Sequence, residues 1–383
     1  MKCCFFAPVL MLALTWLPPV TVVAATPGQA APASLYEEAP VTWKSTLETR
    51  LAELEAGFPG EFGVYVQDLN TDESYSWRGD EWWYLASLIK VPVAIEVFAR
   101  IERGELALDD SLVLRQSDYV DGAGQTNWQA PGTPLLVEFL LEQMLTVSDN
   151  TASDMLIHHV GLEAINRRAR SLISSSEEQA HERLGEITTL VDVRRHLYGA
   201  MHPRAFELSG RDFIALRQAG NMAQRIEAFR IRLGVSRDAL QMADMDQAFD
   251  AYEATGLNGG QLSAFGEMLA SLSKGRALSP ASTAELLSIM RRTRSGERRL
   301  KLGLPGELSF AHKTGTQHRR ICDAGILTQD IAPMGLSPPA LQEPPPRVVI
   351  VTCTRGPLSG GRAEQALAEI GAAVRSSGVT GRP

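Results

Sequence analysis

The sequence predicts an α+β protein with three layers, α/β/α, in which a five-stranded antiparallel sheet is flanked by helices and carries an inserted all-helical lobe. Two observations lead to this prediction. Strand-like runs occur near both ends of the chain, and the long stretch between them has the apolar spacing of helices. A single sheet that is assembled from both chain ends and covered by helices accommodates this order of elements.

The first elements are a helix and a hairpin. Apolar residues recur at helical spacing in residues 42–58. Residues 62–69 then alternate in polarity, a turn follows at NTDE, and residues 74–83 return as a second strand. The spacing is helical again from residue 87 to about residue 103, so a helix follows the hairpin.

The remaining strands come late in the chain. Residues 308–316, 320–328 and 347–354 are strand-like, and the run GRAEQALAEIGAAVRSS closes the domain as a helix. The helical lobe, about 105–290, separates these late strands from the early hairpin. The two groups of strands therefore have to meet in one sheet across the lobe.

The N-terminal residues have the pattern of a targeting segment. Lys2 is the only charged residue before Glu37, and an apolar run followed by small residues lies between them. This pattern is typical of a secretory signal peptide, here 1–25, which a Pro- and Ala-rich linker, 26–40, joins to a domain at 41–383. An uncleaved anchor is the alternative. We expect cleavage, no stable membrane insertion, and a periplasmic or secreted protein.

Composition and charge argue against several kinds of partner. The net charge is −8 and the pI is near 5.5, so we expect no nucleic-acid partner. The densest basic stretch, RRTRSGERRLK at 291–301, is expected to be a solvated helix end and loop. The histidines form no zinc-binding pattern, and we expect no metal and no cofactor. We expect a monomer that acts on a small molecule.

Two cysteines lie in the last two strand-like runs. If these runs pair as a hairpin, Cys322 and Cys353 fall roughly opposite each other, close enough for a disulfide. Two buried free thiols are the alternative.

Three short motifs follow one another along the chain. S-x-x-K occurs at 87–90, S-D-N at 148–150 and K-T-G at 313–315. A second S-x-x-K, Ser271 and Lys274, lies after S-D-N and breaks this order. Each motif alone has an ordinary explanation, such as a helix cap for S-D-N. The three together and in this order are much more specific.

These motifs resemble those of the class A β-lactamase family and its penicillin-binding relatives. The resemblance also includes the run RALSPASTAELLSIMRRTRSGERRLKLGLPGELSFAHKTGT. It covers residues 42–165 and 258–375. The stretch between them is longer than in the family, which implies an enlarged or rebuilt segment at about 174–251.

Acyl transfer from an amide needs a nucleophile, a base and donors for the oxyanion. Ser87 is the candidate nucleophile. Lys90 follows it by three positions on a helix, so it lies on the same helix face and can reach the Ser87 hydroxyl. A lysine acts as a base only when burial or another cation lowers its pKa, and Lys313 could be that cation or could attract a substrate carboxylate. The resemblance implies that Ser148 passes a proton to the leaving nitrogen. It also implies that Asn150 binds the side-chain amide of the substrate.

The K-T-G strand is expected to bind the other end of the substrate. The resemblance implies that Thr314 helps to bind a carboxylate, and that the backbone N–H groups of Ser87 and Thr316 form the oxyanion hole. Gly315 marks a close approach of another backbone or of the ligand. Arg319 or Arg320 is either a second carboxylate contact or an ordinary surface ion pair.

The resemblance fails at the residue that activates water for deacylation. In class A enzymes this is a glutamate on a loop after S-D-N. The nearest match is Glu253, followed by Asn258 at a spacing one residue longer than in the family. An ordinary exposed glutamate is the alternative. Glu182 and Glu186 are weaker candidates.

Three functions therefore remain open at the level of sequence. A β-lactamase would open β-lactam amides through a Ser87 acyl-enzyme and then hydrolyse it. A D-Ala-D-Ala peptidase-like or acyl-trapping protein would share the motifs but release the acyl group slowly. An esterase on the same fold would tolerate a poor deacylation site. We expect the first.

Overall fold

The structure is a computed structural model. The residues that it describes are 41–173, 176–242, 244–329 and 344–381. The expected signal peptide at 1–25 and linker at 26–40 lie outside the described residues, as does most of the Pro-rich turn before the last strand.

Nine strands form one large sheet and two small ones within the described residues. In chain order they are β1 (Glu61–Asp68), β2 (Ser74–Trp77), β3 (Trp82–Tyr84), β4 (Ser111–Val113), β5 (Pro134–Leu136), β6 (Gly259–Gln261), β7 (Ser309–Gln317), β8 (Arg320–Thr328) and β9 (Arg347–Arg355). The large sheet has five antiparallel strands in the order β2-β1-β9-β8-β7. Strands from both chain ends meet where β1 pairs with β9, which confirms the predicted sheet.

Helices make up most of the remaining described chain. They are α1 (Trp43–Ala56), α2 (Lys90–Glu102), α3 (Val137–Thr146), α4 (Asn150–Val160), α5 (Leu162–Ser171), α6 (Glu177–Arg183), α7 (Leu190–Gly199), α8 (Gly210–Gln218), α9 (Met222–Leu233), α10 (Met245–Glu253), α11 (Leu262–Ser273), α12 (Pro280–Arg291), α13 (Leu300–Gly303) and α14 (Gly360–Ser377). The segment predicted to be enlarged, 174–251, contains helices α6 to α9 and most of α10.

The alternation of side chains along the strands divides the interior into two cores. On β9, Val348 and Ile350 belong to the core that α1 and α14 cover. The residues that alternate with them, Val349 and Val351, belong to the core that α2, α11 and the helical lobe cover. Successive side chains of a strand point to opposite faces. The sheet is therefore the middle of three layers, as the sequence predicts.

The predicted second strand of the hairpin is divided in two. β2 ends at Trp77, Arg78 adopts a positive φ of 50°, and β3 pairs with β6 in a separate small sheet. The indole of Trp83 donates from Nε1 to the Arg78 carbonyl at 2.9 Å. The same indole lies against Gly63, where a Cβ would come within 2.7 Å of the ring. Packing of this indole on β1 is thus associated with the break, which alternation alone could not predict.

A disulfide links β8 to β9. Cys322 and Cys353 are direct partners in the strand register, and a bond joins their sulfur atoms. Both cysteines are buried in the core on the lobe side of the sheet. Of the two alternatives left by the sequence, the structure has the bridge.

We predict that replacing both cysteines by alanine destabilises the protein. The bridge joins cysteines that are 31 positions apart in the sequence, so its loss is expected to lower the free energy of unfolding by about 2–4 kcal/mol. Urea denaturation of the wild type and of the Cys322→Ala/Cys353→Ala variant measures the difference. Mass spectrometry of an unreduced digest should show the two peptides linked, and unlinked peptides with free thiols would contradict the bridge.

Candidate active site

The S-x-x-K motif lies where a short 3-10 helix continues into α2. Ser87 is in the 3-10 turn Ala86–Ile89, and Lys90 is the first residue of α2. The Lys90 side chain is completely buried, whereas Ser87 is partly exposed and lines a cavity of about 490 Å³. This arrangement places a hydroxyl at the surface of the cavity and an amine behind that surface.

The S-D-N motif is the turn that begins α4. Ser148 has a positive φ of 64°, and Asp149 is the N-cap, because its Oδ1 accepts a hydrogen bond from the Ala152 N–H at 2.9 Å. The Asp149 Oδ2 accepts a second bond from the Thr126 N–H, also at 2.9 Å. The ordinary explanation of this motif as a helix cap therefore holds for its aspartate. Ser148 and Asn150 have different partners.

Lys90 holds these two residues. Its Nζ donates to the Ser148 carbonyl at 2.7 Å and to the Asn150 Oδ1 at 2.7 Å, and lies 3.2 Å from the Ser148 Oγ. The Asn150 amide donates in turn from Nδ2 to the Asp121 carbonyl at 2.7 Å. These contacts connect the beginning of α2, the beginning of α4 and the loop at Asp121.

The K-T-G strand brings a second amine to the same hydroxyl. Lys313 Nζ lies 3.1 Å from the Ser148 Oγ and donates to the Thr314 carbonyl at 2.8 Å. Lys313 is also completely buried. The hydroxyl of Ser148 therefore lies between two buried lysines from opposite sides of the site.

Burial lowers the pKa of both lysines. It lowers the pKa of Lys90 to about 7, although the carboxylates of Asp149 and Asp154 favour the charged form. Burial also lowers the pKa of Lys313 well below its usual value, and the positive charges of Lys90 and Arg299 act in the same direction. An amine that is partly neutral near pH 7 can accept a proton, which an ordinary surface lysine cannot do.

Gly315 allows β7 to approach the turn that carries Ser87. A Cβ at this position would lie 2.8 Å from the Leu85 carbonyl oxygen and 3.2 Å from the Ala86 Cβ. Contacts as short as the first are essentially absent between real side chains and backbone, so a larger residue would push the strand away. The close approach expected from the sequence is thus to the backbone next to Ser87.

Arg299 corrects the prediction for the basic stretch 291–301. The side chain of Arg299 is only about 5% exposed, whereas its neighbour Arg298 is exposed. The Arg299 guanidinium donates to the carbonyls of Gly315 and Cys322, both at 3.0 Å, and to the Thr316 Oγ1 at 2.8 Å. It therefore joins β7 to β8 beside K-T-G. The density of charge in the sequence did not reveal which arginine turns inward.

The hydroxyl groups of both threonines in the K-T-G strand form hydrogen bonds. Thr314 shares a hydrogen bond of 2.6 Å with Ser295, and Thr316 receives the bond from Arg299. Both threonines line the cavity together with Ser87, Ser148 and Asn150. The structure thus brings together all the predicted site residues except one.

Glu253 is the exception. It lies at the end of α10 and forms an ion pair with Arg320, and these two residues line a separate cavity of about 190 Å³. The alternatives Glu182 and Glu186 are exposed and do not line the cavity of Ser87 either, and Glu186 pairs with Arg170 at 3.1 Å. The sequence spacing placed Glu253 close to Asn258. It did not predict that Glu253 faces Arg320 instead of the cavity of Ser87.

Arg319 and Arg320 form ion pairs with α10. Arg319 lies 2.7 Å from Asp246, and Arg320 lies 2.8 Å from Asp250 in addition to its contact with Glu253. The contact of Arg319 agrees with the surface-pair interpretation, whereas the Arg320 side chain is only 12% exposed, so its ion pairs are largely buried. The rival S-x-x-K also has structural partners, because Ser271 donates to the Leu172 carbonyl at 2.9 Å and Lys274 pairs with Asp72.

Comparison with solved structures identifies the fold. A β-lactamase from Xanthomonas campestris pv. campestris has a TM-score of 0.61 at 20% identity, over 88% of this chain and 99% of its own. A mutant of PBP-A, solved as an acyl-enzyme complex with penicillin G, has a TM-score of 0.59 at 19% identity, over 86% and 95%. The fold is that of the serine hydrolases which include β-lactamases and penicillin-binding proteins.

Sequence comparison gives the family. A model described as "Beta-lactamase enzyme family" matches residues 46–337, and the chain belongs to this family. A β-lactamase of Rhodobacter capsulatus is 35% identical over 127 residues, which are 33% of this chain and 43% of that protein. The chain therefore spans less than two thirds of the length of this curated relative.

Two further features of the described residues bear on partners. In the described ranges, no group of histidine, cysteine, aspartate and glutamate side chains could hold a metal ion. In the same part of the chain, none of the helices has both the length and the apolar character that crossing a membrane requires.

We predict that Gly124→Ala damages the S-D-N turn and that Gly132→Ala is a matched control. Both glycines have a positive φ, 92° and 89°, but a Cβ at Gly124 would overlap the Asp149 carboxylate, whereas the space at Gly132 is open. We expect Gly132→Ala to lower the free energy of unfolding by about 1 kcal/mol through backbone strain alone, and Gly124→Ala by about 3 kcal/mol. Equal losses in urea denaturation would show that the contact with Asp149 does not matter.

Proposed function

We propose that this protein is a serine β-lactamase of the class A type, which opens β-lactam amides through an acyl-enzyme on Ser87. The observation that carries the proposal is that Ser87 and Ser148 line one cavity while two buried lysines contact the Ser148 hydroxyl. We further propose that it acts as a monomer in the periplasm or outside the cell, after removal of residues 1–25.

The proposed reaction begins with a proton transfer. Neutral Lys90 accepts the proton of Ser87 while the Ser87 Oγ attacks the carbonyl carbon of the β-lactam. The carbon–nitrogen bond of the ring then breaks, and Ser148 delivers a proton to the leaving nitrogen. Ser148 is suited to this step because its hydroxyl lies within 3.2 Å of the amines of Lys90 and Lys313. The proton lost by Ser87 can return through these groups.

Binding and charge stabilisation are assigned to the remaining residues. Thr314, Gly315 and Thr316 hold the substrate carboxylate along the K-T-G strand, and Lys313 contributes positive charge from behind them. The backbone N–H groups of Ser87 and Thr316 form the oxyanion hole, where the loss of one donor typically costs about 2.7–4 kcal/mol of barrier. Asn150 binds the side-chain amide of the substrate.

A second candidate, an acyl-trapping or peptidase-like protein, is favoured by one observation. Among the described residues that line the cavity, Asp121 is the only carboxylate, and guanidinium groups bind both of its oxygens. The placement of Glu253 does not support its expected role as the deacylation base. An esterase on this fold is the third candidate, and it would tolerate a poor deacylation site.

We predict a covalent adduct on Ser87 after mixing with a penicillin or a cephalosporin. Intact-mass spectrometry over time should show the protein mass increased by the mass of the drug, and the Ser87→Ala variant should show no increase. A transient adduct with consumption of the drug would indicate hydrolysis, whereas an adduct that persists would favour the second candidate. Neither adduct nor consumption would contradict both, and esters and peptides would be tested next.

We also predict that acylation depends on the ionisation of Lys90. Only the neutral amine accepts the Ser87 proton, so the acylation rate constant should rise with pH and reach half its maximum near the Lys90 pKa of about 7. Stopped-flow measurement of acylation across pH gives this midpoint. A midpoint near 10, the value of an unperturbed lysine, would contradict the role of burial.

The Lys90→Arg variant is the control for this experiment. A guanidinium keeps its proton at every accessible pH, so the variant should lose the rising limb and acylate about 10²–10⁴-fold more slowly at its maximum. An unchanged rate would assign the base to another group.

A further inference from the structure

The cavity of Ser87 is extended by the segment that departs from the family. Helices α7, α8 and α9 contribute Arg194, Arg217 and Arg225 to its lining, and we refer to these three residues as the arginine wall. Apolar side chains from the same segment lie around the wall. They are Leu197, Tyr198, Phe213, Met222, Met245 and Phe249.

The wall has an excess of positive charge. Asp121 accepts hydrogen bonds from Arg194 at 2.5 Å and from Arg217 at 3.3 Å. Burial opposes ionisation of Asp121, yet these two guanidiniums together lower its pKa. One carboxylate thus faces three arginines among the described lining residues. A positive cavity on a chain whose net charge is −8 attracts anions selectively.

Two of the arginines keep donors for a ligand. A guanidinium has five N–H donors. Arg217, whose side chain is 52% exposed, donates from Nη1 to Asp121, and Arg225 donates from Nε to the Gly220 carbonyl at 2.8 Å. Arg194, in contrast, is nearly buried against Asp121. Arg217 and Arg225 are therefore the members of the wall that can bind a ligand.

The wall adjoins the part of the site to which the proposed function assigns the acyl side chain. Asp121 binds the arginines through its carboxylate and Asn150 through its carbonyl. In the proposed reaction Asn150 binds the side-chain amide of the substrate. The group beyond that amide then extends toward the apolar residues and arginines of the enlarged segment.

We propose that the arginine wall is a subsite for an acyl side chain that carries both an aromatic ring and a carboxylate. The aromatic and apolar residues bind the ring, and Arg217 and Arg225 bind the carboxylate. This inference rests on the proposed function, because it takes the orientation of the substrate from the role of Asn150. It assigns a specificity to a segment for which the family resemblance gives none.

The test compares two penicillins that differ by one carboxylate, namely benzylpenicillin and its α-carboxy derivative. We expect the ratio of their acylation rate constants, α-carboxy over parent, to fall about tenfold in the Arg217→Gln/Arg225→Gln variant. Arg237→Gln is the matched control, because Arg237 belongs to the same segment, is exposed and does not line the cavity. The control should keep the wild-type ratio.

A second measurement separates failure of the subsite from failure of the proposed function. Phenylmalonate and phenylacetate are the side-chain acids of the two penicillins, and their binding can be measured by calorimetry without acylation. We expect phenylmalonate to bind more tightly to the wild type, and the double variant to lose most of this difference. If neither penicillin forms an adduct, the proposed function fails and phenylmalonate binding alone decides on the subsite.

Two outcomes would overturn the inference. The first is an equal loss of the rate ratio, or of phenylmalonate binding, in the Arg237→Gln control, which would indicate a general effect of net charge. The second is a double variant that retains both the ratio and the preference for phenylmalonate.

Discussion

The rest of the site depends on the contacts between the buried amine of Lys90 and the S-D-N turn. A buried amine without partners is costly, and here the backbone and side chains of the S-D-N turn supply those partners. The contacts to Ser148 and Asn150 fix the beginning of α4 against the beginning of α2. The same burial that requires these partners also lowers the pKa of Lys90, so the stability of this junction and the basicity of the amine have one cause.

Lys313 meets the same requirement from the other side of the cavity. It can share the Ser148 hydroxyl only if the edge strand β7 comes close to the turn of Ser87, and Gly315 removes the side chain that would prevent this. Arg299 adds a further connection between the edge strand β7 and its neighbour β8, because its guanidinium donates to one carbonyl of each strand. A buried guanidinium thus links the two strands beside K-T-G.

Much of this could be predicted from the sequence, for reasons that also explain the failures. The strands of the large sheet, α14 and the S-x-x-K, S-D-N and K-T-G residues are recognised by local periodicity or by motif order, and these signals need no knowledge of tertiary contacts. The strands β4, β5 and β6 were not predicted, because runs of three residues are too short to show alternation, and they lie in the lobe predicted to be all-helical. Arg299 was missed because one inward-facing arginine in RRTRSGERRLK looks like its solvated neighbours. Glu253 was assigned by its distance along the chain from Asn258. In the structure Glu253 is the last residue of α10, and from there it pairs with Arg320 on β8.

The position of the enlarged segment is tied to the same helix that begins with S-D-N. Asp154, which is buried on α4, accepts hydrogen bonds from the backbone N–H groups of Leu190 and Val191 at the beginning of α7, at 2.7 and 2.9 Å. Arg194 lies four residues after Leu190, so it is on the same face of α7, and it reaches Asp121, whose carbonyl binds Asn150. These contacts form a closed circuit from α4 through α7 and back to S-D-N. A change that displaces α7 is therefore expected to move Asn150 as well as the arginine wall, because the same contacts position both.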